Sequence, residues 1–113
     1  MPNFIETYHC RTGTINPNSY PVSSVDDLLK CLQQAKDAHD VGVLLDISVR
    51  TNFLNELHEQ ISVRKEDLFY VYERETSLSR PRFEIEFERT LNQLRLYRDA
   101  ARALEEQRTE SVL

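Results

Sequence analysis

The carboxylates best placed for chemistry lie in the second half of the chain. Glu73 and Glu75 form one pair, and Glu84, Glu86 and Glu88 form a triplet with alternate spacing. General acid–base catalysis by a carboxyl group requires burial or a like-charged neighbour to shift its pKa. Arginines surround these acids, so the pattern favours ion pairs on a helix surface, each worth about 0.3–0.5 kcal/mol. We therefore predict no catalytic residue in the chain.

A second polar group, Arg89, Gln93 and Arg95, follows on the same segment, with Thr90 and Asn92 between its members. Two arginines can hold a carboxylate through paired hydrogen bonds, which makes a small-acid-binding sensor one hypothesis. The same residues could instead contact a partner protein or make structural hydrogen bonds to backbone and water.

Metal and nucleotide sites are not expected. The soft ligands of the chain are three histidines and two cysteines: His9, Cys10, Cys31, His39 and His58. The LHEQIS segment begins like a zinc-binding helix, but Ser62 stands where the second histidine would be needed one turn after His58. The chain's two glycines are isolated from each other, so no glycine-rich phosphate loop is present.

The charge and hydropathy of the chain limit its partners. Its formal net charge is -5, and from Arg80 onward seven arginines meet seven acids, which argues against nucleic acid as a partner. The longest apolar run, VGVLL, is too short for a membrane span, and MPNFIETYHC does not resemble a signal peptide. These features predict a cytoplasmic protein with no membrane partner and with reduced cysteines.

The elements that carry these residues are mainly helical. Ser24 caps a predicted helix over residues 24–39, whose apolar stripe is expected to face a core. Two consecutive helices are predicted from Ser48, with a kink at Ser62, and Pro81 opens a long helix. Its apolar residues recur every three or four positions, as expected for packing against near-antiparallel helices: Phe83, Phe87, Leu91, Leu94, Tyr97, Ala101 and Leu104.

The whole chain is predicted to be a single mainly α domain, with three to four helices in an antiparallel, bundle-like arrangement. Residues 1–22 hold turn chemistry at TGT and INPN and are expected to form an irregular arm or a hairpin. Residues 24–104 form the helical core, and residues 105–113 are predicted to be a frayed tail. The apolar run at residues 41–47 fits a buried strand and a buried connector equally well.

The stretch ETSLSRPRFEIEFERTLNQLRLY resembles the N-terminal helical region of aldehyde dehydrogenases, most closely the branch that acts on α-ketoglutaric semialdehyde. That branch carries an ETGLP-like turn, then an arginine, a glutamate, RT, and QLR before an aromatic residue. The residues that match in order are Glu75, Thr76, Leu78, Arg82, Glu86, Arg89, Thr90, Gln93, Leu94, Arg95 and Tyr97. The likeness extends upstream to about Arg11, while Ser77 stands where the family usually has glycine.

The resemblance implies a helical cap that folds against a cofactor-binding domain. The sequence contains no match to the family's PWN segment, its glycine-containing cofactor turns, its general-base glutamate or its catalytic cysteine. Cys10 and Cys31 lie in different surroundings and are not expected to act as nucleophiles. Ile85 and Leu96 stand off the main stripe of the long helix, so each is expected to be exposed at a cost of roughly 1.5–3 kcal/mol unless a second chain covers it.

Three functions follow as hypotheses. The first is a non-catalytic, aldehyde-dehydrogenase-like module, without a cofactor, that binds another protein, either itself or a complete relative. Its interaction residues would be Ile85, Leu96, Arg89, Gln93 and Arg95. The second is a split or truncated subunit of an NAD(P)-dependent aldehyde dehydrogenase that is active only on assembly. The third is the small-acid-binding sensor.

Overall fold

A computed structural model describes residues 3–111 of the chain, and within that range the protein is mainly α, as predicted. A two-stranded antiparallel hairpin precedes four α-helices and one short 3-10 turn. The elements are β1 (Phe4–Tyr8), β2 (Ile15–Pro21), α1 (Val25–Val41), the 3-10 turn (Val43–Leu45), α2 (Ile47–Val63), α3 (Lys65–Thr76) and α4 (Arg80–Glu110).

The N-terminal segment forms a hairpin, one of the two forms predicted for it. Phe4 pairs with Pro21 and Tyr8 with Ile15, with a change of register between Glu6 and Tyr8. Gly13, at φ 70°, lies in the connecting turn. The INPN segment, predicted to be a turn, instead begins β2. The turn prediction failed there because strand pairing supplies the backbone hydrogen bonds that a turn would otherwise make.

Helix α1 begins as its sequence predicts. Ser24 accepts a hydrogen bond from the amide of Asp27, and the Asp27 carboxylate accepts one from the amide of Ser24, which completes a capping box. The Ser24 hydroxyl also donates to the Asp27 carboxylate, and this hydrogen bond, followed by the one from the Ser24 amide, lowers the pKa of Asp27. The helix ends at Gly42, whose φ of 72° places it in the left-handed region.

The apolar stripe of α1 does not face a core, contrary to the prediction. We define the α1 stripe as Val25, Leu28, Leu29 and Leu32. Each of these side chains is more than half exposed, and none of the residues described in α1 is buried. The periodicity correctly indicated an amphipathic helix, but periodicity cannot say whether the chain itself supplies the covering surface.

The run at residues 41–47, which could not be assigned from sequence, forms the 3-10 turn and the start of α2. Asp46 rather than Ser48 is the N-cap of α2, because its carboxylate accepts hydrogen bonds from the amides of Ser48 and Val49. The Ser48 hydroxyl also donates to this carboxylate, and these contacts lower the pKa of Asp46.

The break between α2 and α3 falls at Arg64, two residues after the predicted kink. The Ser62 hydroxyl donates to the carbonyl of His58 in the preceding turn, so it does not cap the next helix. Helix α3 then ends at Ser77, a non-glycine residue at φ 55°, and α4 begins with Pro81 in its first turn, as predicted.

The core lies between α4 and the helices α2 and α3. Phe83, Phe87 and Leu91 are only 5–6% exposed and pack against three partly buried hydrophobic side chains. The Phe83 ring lies 5.2 Å from that of Phe69 and 5.3 Å from that of Tyr72, both in tilted arrangements. Aromatic pairs at such distances add about 0.5–1.5 kcal/mol to the burial of their area.

The predicted stripe of α4 is buried along only part of its length. Its first half lies in the core and Ala101 is buried, but Tyr97 and Leu104 are each 59% exposed. At this end α2 adjoins α4 and Ala101 is buried, but Tyr97 and Leu104 lie beside the contact and stay exposed. Helix α4 also continues to Glu110, through residues predicted to fray, and the last two residues of the predicted tail lie outside the described range.

The described chain is more extended than a compact domain of its size. Its radius of gyration is 19.4 Å, whereas a compact domain of this length has about 13 Å. Its accessible surface is 9101 Å², against about 6,500 Å² for a compact monomer of this mass. Large apolar side chains on α1, the hairpin and the far end of α4 are among the exposed residues.

Candidate interaction surfaces

Helix α4 carries an apolar strip on the side opposite the core. Ile85 is 61% exposed and Leu96 is 62% exposed, as the sequence predicted for both. The two side chains lie about three turns apart on one side of α4, and the core residues Phe83 and Phe87 lie on the other. We call this strip, defined by Ile85 and Leu96, the outer face of α4.

Only part of the predicted polar group belongs to the outer face. Arg89 and Gln93 lie beside Ile85, one turn apart, and form a shallow surface with Asn92. Arg95 points about 120° away from Arg89 around the helix and lies 3.8 Å from Glu88 through its Nη2 atom. The structure therefore does not bring the two arginines together as a clamp.

Carboxylates also line the surface beside Arg89. Glu84 and Glu88 flank Ile85 there, and their negative charge disfavours the binding of a small acid. An anion site built around Arg89 would need positive charge from a residue outside this surface.

The acids of α4 are paired as the ion-pair interpretation predicted. Glu86 pairs with Arg82 at 2.5 Å, and Glu84 pairs with both Lys65 and Arg80. Hydrogen bonds from Lys65 and then Arg80 lower the pKa of Glu84. A carboxyl group whose pKa is lowered by cations stays ionised at neutral pH, so it is unsuited to act as a general acid.

Arg80 has a structural role that the sequence analysis missed. Its guanidinium donates to both carboxylate oxygens of Glu66, at 2.6 and 2.7 Å, and to Glu84 at 2.6 Å. It also stacks on the Phe69 ring, 4.5 Å from the centroid. Hydrogen bonds from Arg80 lower the pKa of Glu66, and the carboxylates raise the pKa of Arg80. Arg80 therefore ties the beginning of α3 to the beginning of α4.

Glu73 and Glu75 hold the hairpin on α3. His9 Nε2 lies 3.5 Å from Glu73, and the Cys10 thiol donates to the carbonyl of Glu75 at 2.6 Å. The Tyr20 hydroxyl and the Thr7 hydroxyl donate to the Glu75 carboxylate at 3.5 and 3.4 Å. These two acids therefore anchor the hairpin and do not converge on a reaction centre.

Asn16 makes a second polar link between the hairpin and α3. It is 6% exposed, donates to the Thr7 hydroxyl at 3.0 Å and accepts from Arg74 Nε at 3.3 Å. This contact could not be predicted from the sequence, because hydrogen-bond partners distant in sequence leave no periodic pattern.

Two apolar grooves adjoin the 3-10 turn. The first, about 780 Å³, lies between the end of α1 and the turn and includes His39, Leu44 and Leu45. The second, about 410 Å³, lies between α2 and α4. We define this α2–α4 groove by the following residues: Leu44, Phe53, Leu54, Tyr97, Ala101 and Leu104. Leu44 and Arg50 line both grooves, so the apolar surface is continuous. Sequence reasoning expected Tyr97 to pack against neighbouring helices and so missed this surface.

Two negative findings apply to residues 3–111. In this range the structure brings together no group of three or more His, Cys, Asp or Glu side chains that could hold a metal ion. None of the helices described there is both long enough and apolar enough to span a bilayer. Cys10 and Cys31 are both exposed.

By its fold, the molecule is a mainly α unit. Its polar clusters hold helices together, and part of its apolar surface is uncovered. The family model described as "Aldehyde dehydrogenase family" matches residues 5–112, nearly the whole chain. The protein belongs to the aldehyde dehydrogenase family. Neither the curated proteins nor the solved structures gave a match.

Proposed function

We propose that the chain acts by association with another protein, as an aldehyde-dehydrogenase-like helical module that does not oxidise aldehydes on its own. The observation that carries the proposal is the exposure of whole apolar surfaces, namely the α1 stripe and the outer face of α4. Exposed apolar surfaces of this extent in a small protein are typical of sites that bind other proteins. The family's helical region, which packs against a larger domain, supports the same interpretation.

Ile85 and Leu96 are the proposed anchors on α4. Covering either side chain would gain roughly 1.5–3 kcal/mol. Arg89 and Gln93 lie beside Ile85, where they can donate to carbonyl or carboxylate groups of a partner. Arg95 lies to one side of this surface, so we assign it a contact at the edge.

A complete aldehyde dehydrogenase relative is the partner with which to test this proposal. Light scattering on a mixture of the purified chain and the relative should show a complex that neither protein forms alone. Ile85→Glu and Leu96→Glu should each weaken the complex about tenfold or more, because each places a charge in an apolar contact. Val63→Glu is the matched control, since Val63 is exposed at the end of α2.

A chain that neither self-associates nor binds the relative would refute the association function. Equal effects of Val63→Glu and Ile85→Glu would refute the assignment of the outer face of α4 as the contact surface.

A split enzyme is the second candidate, supported by the family match over residues 5–112. In this case a separate chain would supply the cofactor-binding and cysteine-containing segments, and the complex would oxidise an aldehyde with a nicotinamide cofactor. Mixing the two chains and following the absorbance of the reduced cofactor tests the idea. Turnover that requires both chains would support it, while a complex without turnover would leave association as the function.

Two observations argue against a small-acid sensor: Arg89 and Arg95 are separated, and carboxylates lie beside Arg89. Thermal-shift measurements with dicarboxylates and sugar acids provide the test. Stabilisation that is lost in both Arg89→Ala and Arg95→Ala would revive this hypothesis.

We also propose that, within the family, the α-ketoglutaric semialdehyde branch is the nearest. Support comes from the turn that begins at Glu75. Ser77 occupies a left-handed conformation, φ 55°, at the position where that branch carries glycine. Glycine is the residue that adopts this conformation without strain, so a turn of this shape is one that the branch's glycine would suit. Comparing complete sequences of the branches around this turn would test the placement.

A further inference from the structure

We propose that two copies of this chain associate by reciprocal exchange, in which the α1 stripe of each copy lies in the α2–α4 groove of the other. This inference rests on the proposed function, association, and names the partner as a second copy of the chain. The stripe and the groove are both apolar, and both are left uncovered by the rest of the described chain.

The turn between α1 and α2 keeps the stripe away from the groove of the same chain. Gly42 adopts the left-handed conformation, and the amide of Leu45 donates to the carbonyl of Gly42 at 2.9 Å. Arg50 then holds the carbonyl of Leu44 through two hydrogen bonds, at 3.0 and 2.7 Å. These contacts support the turn conformation in which α1 leaves with its stripe exposed and away from the groove.

The two surfaces match in length. The stripe runs from Val25 to Leu32, and the part of the groove formed by α4 runs from Tyr97 to Leu104. Each interval covers about 10 Å along a helix axis. The stripe and the groove are therefore similar in length along their helix axes.

The surface that the chain exposes in excess of a compact monomer is larger than one interface requires. The chain exposes about 2,600 Å² more than a compact monomer of its mass. A standard protein–protein interface requires about 800 Å² from each partner. Closed twofold dimers with reciprocal contacts are the commonest assemblies of identical chains, and exchange of one helix builds two equal contacts.

Sedimentation equilibrium on the full chain tests the proposal. We expect the wild-type chain to dimerise, and we expect Leu28→Glu in the stripe and Leu104→Glu in the groove each to raise the dissociation constant about tenfold or more. Val63→Glu, at the exposed end of α2 and outside both surfaces, is the control and should dimerise like the wild type. Far-UV circular dichroism of each variant checks that the exposed substitutions leave the helices folded.

A mixture of the two variants gives the decisive measurement. In a reciprocal exchange, the Leu28→Glu chain keeps an intact groove and the Leu104→Glu chain keeps an intact stripe, so one contact survives in the mixed dimer. The mixture should therefore associate more strongly than either variant alone. A mixture no stronger than its components would overturn the exchange.

The outcomes also separate this inference from the proposed function. A wild-type chain that stays monomeric but binds a complete relative overturns the exchange and leaves the association function in place. A chain that stays monomeric and ignores the relative overturns both. Dimerisation that is insensitive to Leu28→Glu and Leu104→Glu overturns the exchange alone.

Discussion

Helices α1 and α4 are both amphipathic, yet only α4 finds a partner within the described chain. The apolar residues Phe83 and Phe87 of α4 pack against α2 and α3, whereas the α1 stripe stays in solvent. Both helices have a sequence-encoded start, a capping box in α1 and a proline in the first turn of α4. The difference shows that local signals determine where a helix forms, while burial depends on a surface that another segment or another chain must supply.

The largest expected effect on stability comes from substitutions in the buried part of α4. Phe87→Ala should lower the free energy of unfolding by about 3–5 kcal/mol, because it removes a buried ring and leaves a cavity. Leu29→Ala, in the α1 stripe, should change it by less than about 0.5 kcal/mol when the protein is dilute enough to be monomeric. Urea unfolding of both variants provides the measurement, and similar losses would show that α1 is part of the same cooperative core.

The left-handed turn after α1 should be the next most sensitive position. A Cβ atom at Gly42 would meet the Leu45 side chain at 2.9 Å, in addition to the strain of φ 72°. Gly42→Ala should cost roughly 1–2 kcal/mol from the backbone conformation and little more from the contact, because the exposed Leu45 side chain can rotate away. Gly13→Ala is the matched control, with φ 70° and no atom within 4 Å of the added Cβ. A clearly larger loss for Gly42→Ala in thermal unfolding would show that the Leu45 side chain cannot move away.

The corresponding turn before α4 should respond with the opposite sign. Ser77→Gly is expected to raise the stability by about 1 kcal/mol, because glycine adopts the left-handed conformation at φ 55° without the strain of a side chain. Ser79→Gly serves as the control, since Ser79 has an ordinary φ of -73° and its side chain makes no capping hydrogen bond. A Ser77→Gly variant that unfolds at a lower temperature than the wild type would contradict the strain argument.

Acid should weaken the α3–α4 region through its carboxylates. The pKa values of Glu66 and Glu84 are lowered from the ordinary 4.5 by hydrogen bonds, from Arg80 to Glu66 and from Lys65 and Arg80 to Glu84. A lowered folded-state pKa gives stability that is fully present above the unfolded-state pKa and is lost as the pH falls through the folded value. The melting temperature should therefore fall as the pH drops below about 4.5.

The control for this pH effect is Glu66→Gln. The variant should be less stable than the wild type at neutral pH and should lose less on acidification, because it lacks one of the titrating carboxylates. The expected difference is small, since Glu66 is exposed and an exposed ion pair contributes little. Parallel pH profiles for the two proteins would show that other groups dominate the acid response.

Sequence reasoning found the helices because their signals are local. The cap at Ser24, the stripe of α1, Pro81 and the exposure of Ile85 and Leu96 all follow from residue type and spacing. The start of α2 was misplaced because Asp46 and Ser48 are both good N-cap residues, and only the backbone shows which one accepts from the amides of the first turn.

The contacts between elements distant in sequence could not be found in the same way. Arg80 stacking on Phe69 and Asn16 joining the hairpin to Arg74 depend on directions that sequence spacing does not encode. The same limit applies to the α2–α4 groove. The periodicity of α4 marks Tyr97 as apolar, but an apolar stripe looks alike whether its cover belongs to the same molecule or to another.

The Cys10 thiol donates a hydrogen bond to the carbonyl of Glu75, so the reactivity of this cysteine depends on the contact between the hairpin and α3. In alkylation the sulfur attacks the reagent as a thiolate, so a thiol that donates to a carbonyl must first release that hydrogen bond. The alkylation rate of Cys10, measured against that of Cys31 on the same molecule, therefore reports how readily this contact between the hairpin and α3 opens.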